Sequence, residues 1–144
     1  MLKYVHNNCH GAKYLFKIDD DTFLNVRQLK RYLLDTSIPE RSIMGSIMCN
    51  PYAFRHKSSM YYVPEYLYDK KWFHKYISGH VYFMSTAMVM QLLETSMKTS
   101  LFPFQGVFLT GLVAERLNIS PLNHPMFYPF SKRINDACHH QVIT

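Results

Sequence analysis

The sequence predicts one α/β domain. Short β-branched and aromatic runs alternate along the chain with segments whose apolar residues recur at helical spacing, the pattern of strands interleaved with helices. The 144 residues suit one domain, and 48% hydrophobic with 15% aromatic content is a globular composition rather than a disordered one.

The elements follow in order. The residues before Gly11 read as the tail of a helix. Tyr14 to Ile18 (YLFKI) reads as a strand, bounded by Gly11 and by Asp19-Asp20-Asp21. Leu24, Leu29, Tyr32 and Leu33 fall near helical spacing, and Asn25 is placed to cap that helix. Ile38-Pro39 breaks the chain, and Ser42 to Cys49 (SIMGSIMC) reads as a second strand. Residues 50 to 78 read as irregular, with Pro51, Pro64 and many tyrosines. A loop of that length inside a domain is usually functional or disordered, and its aromatic content argues against disorder. Val81 to Met84 reads as a strand, with Ser85 or Thr86 capping a helix through Leu93. Another helix is expected from about Val107 to Asn118. A proline-rich connection from Ser120 to Phe130 leads to a tail with no obvious element.

The net charge of +6 favours anionic partners, but the cations are scattered and no nucleic-acid-binding motif accompanies them, so no nucleic acid is expected. Cys9, Cys49 and Cys138 form no CxxC pair, which leaves their pairing and the redox compartment open. No apolar run reaches 18 residues, and the first 13 hold no signal peptide. The 22 aromatic residues suit stacking on flat ligands or sugars, with core packing the role of most.

Chemistry concentrates at the end of the first strand. Three adjacent carboxylates repel one another. If the chain stays extended, Asp19 and Asp21 point to one side and Asp20 to the other. Two carboxylates on one side can share a hard divalent cation, which in turn can neutralise a diphosphate leaving group. The competing reading is an acidic turn that caps the next helix. An EF-hand loop is excluded, because no glycine stands at the sixth place.

Four ordered blocks decide between these readings. AKYLFKIDDDTFLN (Ala12 to Asn25) resembles the DDD-containing strand segment of the β-1,3-galactosyltransferase and β-1,3-N-acetylglucosaminyltransferase family, glycosyltransferase family 31. YISGHVYFMS (Tyr76 to Ser85) is similar to its Y-x-x-G-x-x-Y-x-x-S block, FPFQGVFLTGL (Phe102 to Leu112) to its E-D-V block, and ACHH (Ala137 to His140) to its late Ala-Cys-His element.

The resemblance implies a GT-A, Rossmann-like glycosyltransferase domain. It implies a hexosyltransferase that moves galactose or N-acetylglucosamine from a UDP-sugar, with Mn²⁺ or another divalent cation. Transfer would go with inversion, in β-1,3 linkage, to a glycan acceptor on a glycoprotein or glycolipid. The place would be the lumenal side of the Golgi membrane, reached through an N-terminal signal-anchor that this chain does not contain. By matched position, Asp19, Asp20, Asp21 and Gly79 would bind the donor. Asp19, Asp21 and His139 would hold the metal, with Asp21 favoured as a direct ligand. Gly79, with Ser78 and His80, would lie in a loop lining the pocket, where Trp72 and Tyr76 could stack on a sugar.

Two departures qualify this. The family's second acidic residue in E-D-V, the general base, is here Gly106, and its neighbour is Gln105. Losing a general base costs about 10²- to 10⁴-fold in rate. If only the base is missing, Gly106→Asp should restore transfer. The family's early strands, which hold uracil and ribose, have no counterpart before Met1, so residues 1–144 are expected to be a single partial domain lacking its N-terminal strands. The alternative is a catalytically inactive family member or fragment that binds glycan or a partner transferase.

Overall fold

The computed structural model describes residues 1–124 and 127. A short helix α1 (Leu2–Asn8) precedes β1 (Tyr14–Ile18), α2 (Val26–Asp35) and β2 (Ile43–Met48). After an irregular segment come β3 (Tyr76–Ser85), a 3₁₀ turn (Thr86–Met88) and α3 (Val89–Met97). A π-helical segment (Gly106–Val113), one α-turn, α4 (Ala114–Arg116), and β4 (Leu122–Asn123) complete the described chain.

The sheet order is β1-β3-β2-β4. The long β3 is central and antiparallel to both β1 and β2, while β2 and β4 are parallel. So β1 and β2 run in the same direction, joined by the crossover helix α2, with β3 inserted between them. The segment between β2 and β3 contains no helix that could carry the chain back to the other end of the sheet, so β3 returns antiparallel. The result is a mixed α/β architecture, a partial GT-A-like fold.

Both sheet faces are covered. Tyr82 and Met84 point into a core with Leu2, Val89, Leu92 and Val113 from the helices. The alternate residues Val81 and Phe83 point the other way, into a cluster backed by Tyr32 and Leu33 of α2. This two-sided burial explains why Val81 to Met84 is a continuous apolar run. Caps behave as their chemistry dictates: Asn25 Oδ1 accepts from Gln28 N at 3.0 Å, and Ser85 Oγ accepts from Ala87 N at 3.3 Å.

Three expectations are corrected. β3 begins at Tyr76, not Val81, because the polar Ser78-Gly79-His80 interrupts an otherwise apolar strand. Gly79 therefore sits in a strand rather than a loop. The expected helix from Val107 is π-helical over Gly106–Val113, and it ends where Asn118 adopts a left-handed φ of 53°.

The pairing of β2 with β3 shifts register between Gly45 and Ile47. A side chain at Gly45 would collide with Ile77 Cγ2 where the two strands press together. Within the irregular segment, the Arg55 guanidinium donates to the carbonyls of Val63, Tyr68 and Lys70 at 2.6 to 2.8 Å, stapling the loop into one shape. Among the described residues no helix is long and apolar enough to cross a membrane.

Candidate functional site

The antiparallel register of β1 against β3 builds the site. Ile18 pairs with Val81, and the ladder runs one step further: Asp19 N donates to His80 O at 2.9 Å. Asp19 and His80 thus face each other at the sheet end, with His80 Nδ1 3.6 Å from Asp19 Oδ2. Beyond Asp19 the chain turns rather than staying extended, closed by Thr22 N donating to Asp19 O at 3.2 Å. That turn brings Asp21 back beside Asp19, so that ligand atoms of Asp19, Asp21 and His80 lie within 4.8 Å of one another. Asp20 is exposed and stands outside this group.

Two carboxylates and an imidazole in that space form a mixed oxygen and nitrogen donor set that could hold a divalent cation such as Mn²⁺. The carboxylates need a positive counter-charge, and at present Lys17 supplies part of it. Its Nζ donates to both Asp19 Oδ1 and the Gly79 carbonyl, tying β1 to β3 at the site. Lys17 and Asp19 project to the same side because they are two residues apart on an extended chain.

Beside this group opens a cavity of about 640 Å³. Lys17, Asp19, Ser78, Gly79 and His80 form one end, and Gln105 and Gly106 form part of its floor. Tyr76 lines it as expected. Trp72 is not among the lining residues; its ring lies 5.4 Å from that of Tyr52, which is, with Lys71 Nζ 5.5 Å from the Trp72 ring centre.

At the floor, the π-helical segment is pressed onto β3. A Cβ at Gly106 would lie 2.8 Å from Ile77 O and 3.3 Å from Gly79 N, so only glycine fits. Thr110, fully buried, fastens the contact: its hydroxyl accepts from Ile77 N at 2.8 Å and donates to Gly106 O at 2.7 Å. The Gln105 amide donates to the hydroxyl of buried Tyr82. Burial pushes that phenol up to about 12, partly offset by the Gln105 hydrogen bond, so it stays protonated at neutral pH.

A family model described as Galactosyltransferase matches residues 1–125. The chain belongs to the galactosyltransferase family. Curated relatives are similar over most of its length. The rat protein named UDP-GlcNAc:betaGal beta-1,3-N-acetylglucosaminyltransferase 7 is 32% identical over 129 residues, 90% of this chain and 32% of the relative. The human protein of that name numbered 9 is 30% identical over 122 residues, 85% of this chain and 30% of the relative. Mouse N-acetyllactosaminide beta-1,3-N-acetylglucosaminyltransferase 2 is 29% identical over 131 residues, 90% of this chain and 32% of the relative. The chain spans about a third of the length of these relatives.

In this galactosyltransferase-family chain, the structure brings Asp19 and Asp21 together as the sequence reading expected, and places Gly79 on the cavity wall. It adds His80 to the cation group and places Lys17 beside it as a counter-charge, roles that the sequence reading did not assign. The i, i+2 spacing of Lys17 and Asp19 was a usable signal; the pairing of Asp19 with His80 depends on a register that only the folded sheet defines. His139, expected as a metal ligand, lies outside the described residues.

Proposed function

We propose that the chain is a single partial glycosyltransferase domain serving a UDP-sugar-dependent hexosyltransferase. It would move N-acetylglucosamine or galactose, with inversion and in β-1,3 linkage, to a glycan on a glycoprotein or glycolipid. Its place would be the lumenal side of the Golgi membrane. One observation carries the reading: Asp19, Asp21 and His80 converge at the mouth of a cavity large enough for a sugar. A divalent cation held there would neutralise the diphosphate of a nucleotide-sugar. The chain's own residues orient the group. Lys17 fixes Asp19 against β3, and the turn at Thr22 fixes Asp21 beside it.

A second reading rests on Gly106. No side chain there can take a proton from an acceptor hydroxyl, and Gln105 is an uncharged amide already bonded to Tyr82. A family member that binds donor or glycan without turning it over fits that floor better than an efficient enzyme does.

Calorimetry with UDP, run with Mn²⁺ and again with EDTA, tests the first reading. Heat that requires Mn²⁺ supports it; no heat from a folded sample refutes it. A sugar-transfer assay on the same sample separates the two readings: Mn²⁺-dependent binding without turnover selects the second.

A further inference from the structure

Lys17 already holds an oxygen that a metal ion would need. Its Nζ donates to Asp19 Oδ1 on its own strand and to the Gly79 carbonyl on the neighbouring one. The side chain is 19% exposed against 38% for Asp19, so more of the lysine is covered than of the carboxylate it answers. The other oxygen of Asp19, Oδ2, faces His80 Nδ1 at 3.6 Å. Both oxygens of Asp19 are engaged before any ion arrives.

Asp19 does not depend on Lys17 to stay in place. Its backbone N–H donates to His80 O at 2.9 Å, and its carbonyl accepts from Thr22 N at 3.2 Å. These backbone bonds fix the residue, while the Lys17 contact answers its charge. An ammonium on a flexible four-carbon stem leaves such a contact readily. Where it goes is set by its surroundings. Among the described residues, Lys17 is the one lysine or arginine that lines the cavity.

The charges decide what that exchange does. Asp19 and Asp21 bring two negative charges, and Lys17 cancels one of them. With His80 neutral, a divalent cation added to these side chains turns a group of net charge −1 into one of +1, which attracts an anion. Without Lys17 the same ion would bring the group only to neutrality.

We propose, on the cation-site reading given above, that Lys17 is a displaceable counter-ion built into the site. An incoming divalent cation takes Asp19 Oδ1 from it, and the released ammonium then faces the cavity and answers the anion that follows. Lys17 thereby opposes binding of the metal alone and favours metal and anion bound together, so the two load cooperatively.

The test uses the 144-residue chain at one pH and one salt concentration. Electron paramagnetic resonance reads Mn²⁺ affinity without nucleotide, and calorimetry reads UDP affinity at saturating Mn²⁺. Lys17→Met should bind Mn²⁺ about threefold to tenfold more tightly than the parent, and UDP about threefold to tenfold more weakly. Lys17→Arg, which keeps the charge, should return both values toward the parent. Lys3→Met, the same loss of charge on α1, should move neither. Opposite signs are the signature, because losing a merely structural brace would weaken both. Thermal melting checks that each variant is folded, and Lys17→Gln carries the same test if Lys17→Met is not. Weaker or unchanged Mn²⁺ binding in the uncharged variant overturns the proposal, while Mn²⁺ binding by the parent leaves the cation reading standing. Unchanged UDP affinity overturns it too. No Mn²⁺ binding by the parent or by the uncharged variant overturns the proposal and the cation reading together.

Discussion

A Cβ on Gly106 would stand 2.8 Å from the carbonyl oxygen of Ile77. The neighbour is strand backbone, which cannot step aside as a flexible side chain can. The sequence alone suggested that Gly106→Asp could restore a missing base, and this contact opposes it. We expect Gly106→Asp and Gly106→Ala to destabilise the fold by about 1–3 kcal/mol through overpacking, with no gain in transfer. Urea denaturation of both variants checks this; an unchanged midpoint with new transferase activity would contradict it.

Thr110 closes the same contact from the other side. Thr110→Val keeps the shape but removes the acceptor for Ile77 N and the donor to Gly106 O. A buried amide left unpaired costs about 1–3 kcal/mol, so the urea midpoint should fall accordingly. Thr110→Ser, which keeps the hydroxyl, should recover most of the loss.

His80 and Asp21 are expected to contribute directly to cation affinity. His80→Ala and Asp21→Asn should each weaken Mn²⁺ binding by about tenfold or more, read by titration of the Mn²⁺ electron paramagnetic resonance signal. Asp20→Asn, outside the cluster, should change it little. Equal effects from all three would point to a diffuse acidic loop instead.

How much of this was legible beforehand differs by residue. Strands β1 and β2 announce themselves as short apolar runs between breakers, and Asn25 and Ser85 declare their caps through local chemistry. The start of β3 is hidden, because Ser78-Gly79-His80 breaks the apolar run to line a cavity. The aspartate cluster is local and readable. Its partner His80 is 61 residues from Asp19 in sequence and reaches it only through cross-strand register, which the loop between β2 and β3 does not encode in any local pattern. The crowding at Gly106 is likewise a fact of tertiary packing: the sequence reveals a missing carboxylate but not the reason a side chain has no room.

His124 gives the fold a pH dependence. It is buried edge-on to Tyr32 at 4.4 Å and beside Phe127 at 5.1 Å, and burial lowers its proton affinity below the ordinary imidazole value of 6.5. The unfolded chain therefore takes up the proton first as the pH falls. This contribution to stability is complete above about pH 6.5 and drains away below it. Urea midpoints should decline from pH 7.5 to 5.5, and His124→Gln should flatten that decline; an unaltered slope would exclude His124 as its source.

The central claim is that Asp19, Asp21 and His80 together hold a divalent cation for a nucleotide-sugar. Anomalous scattering from a crystal grown with Mn²⁺ and UDP measures it most directly. The account predicts one strong manganese peak within coordination distance of all three side chains, with the diphosphate bridging to it. A nucleotide bound with no manganese there, or a peak held by other residues, would contradict it.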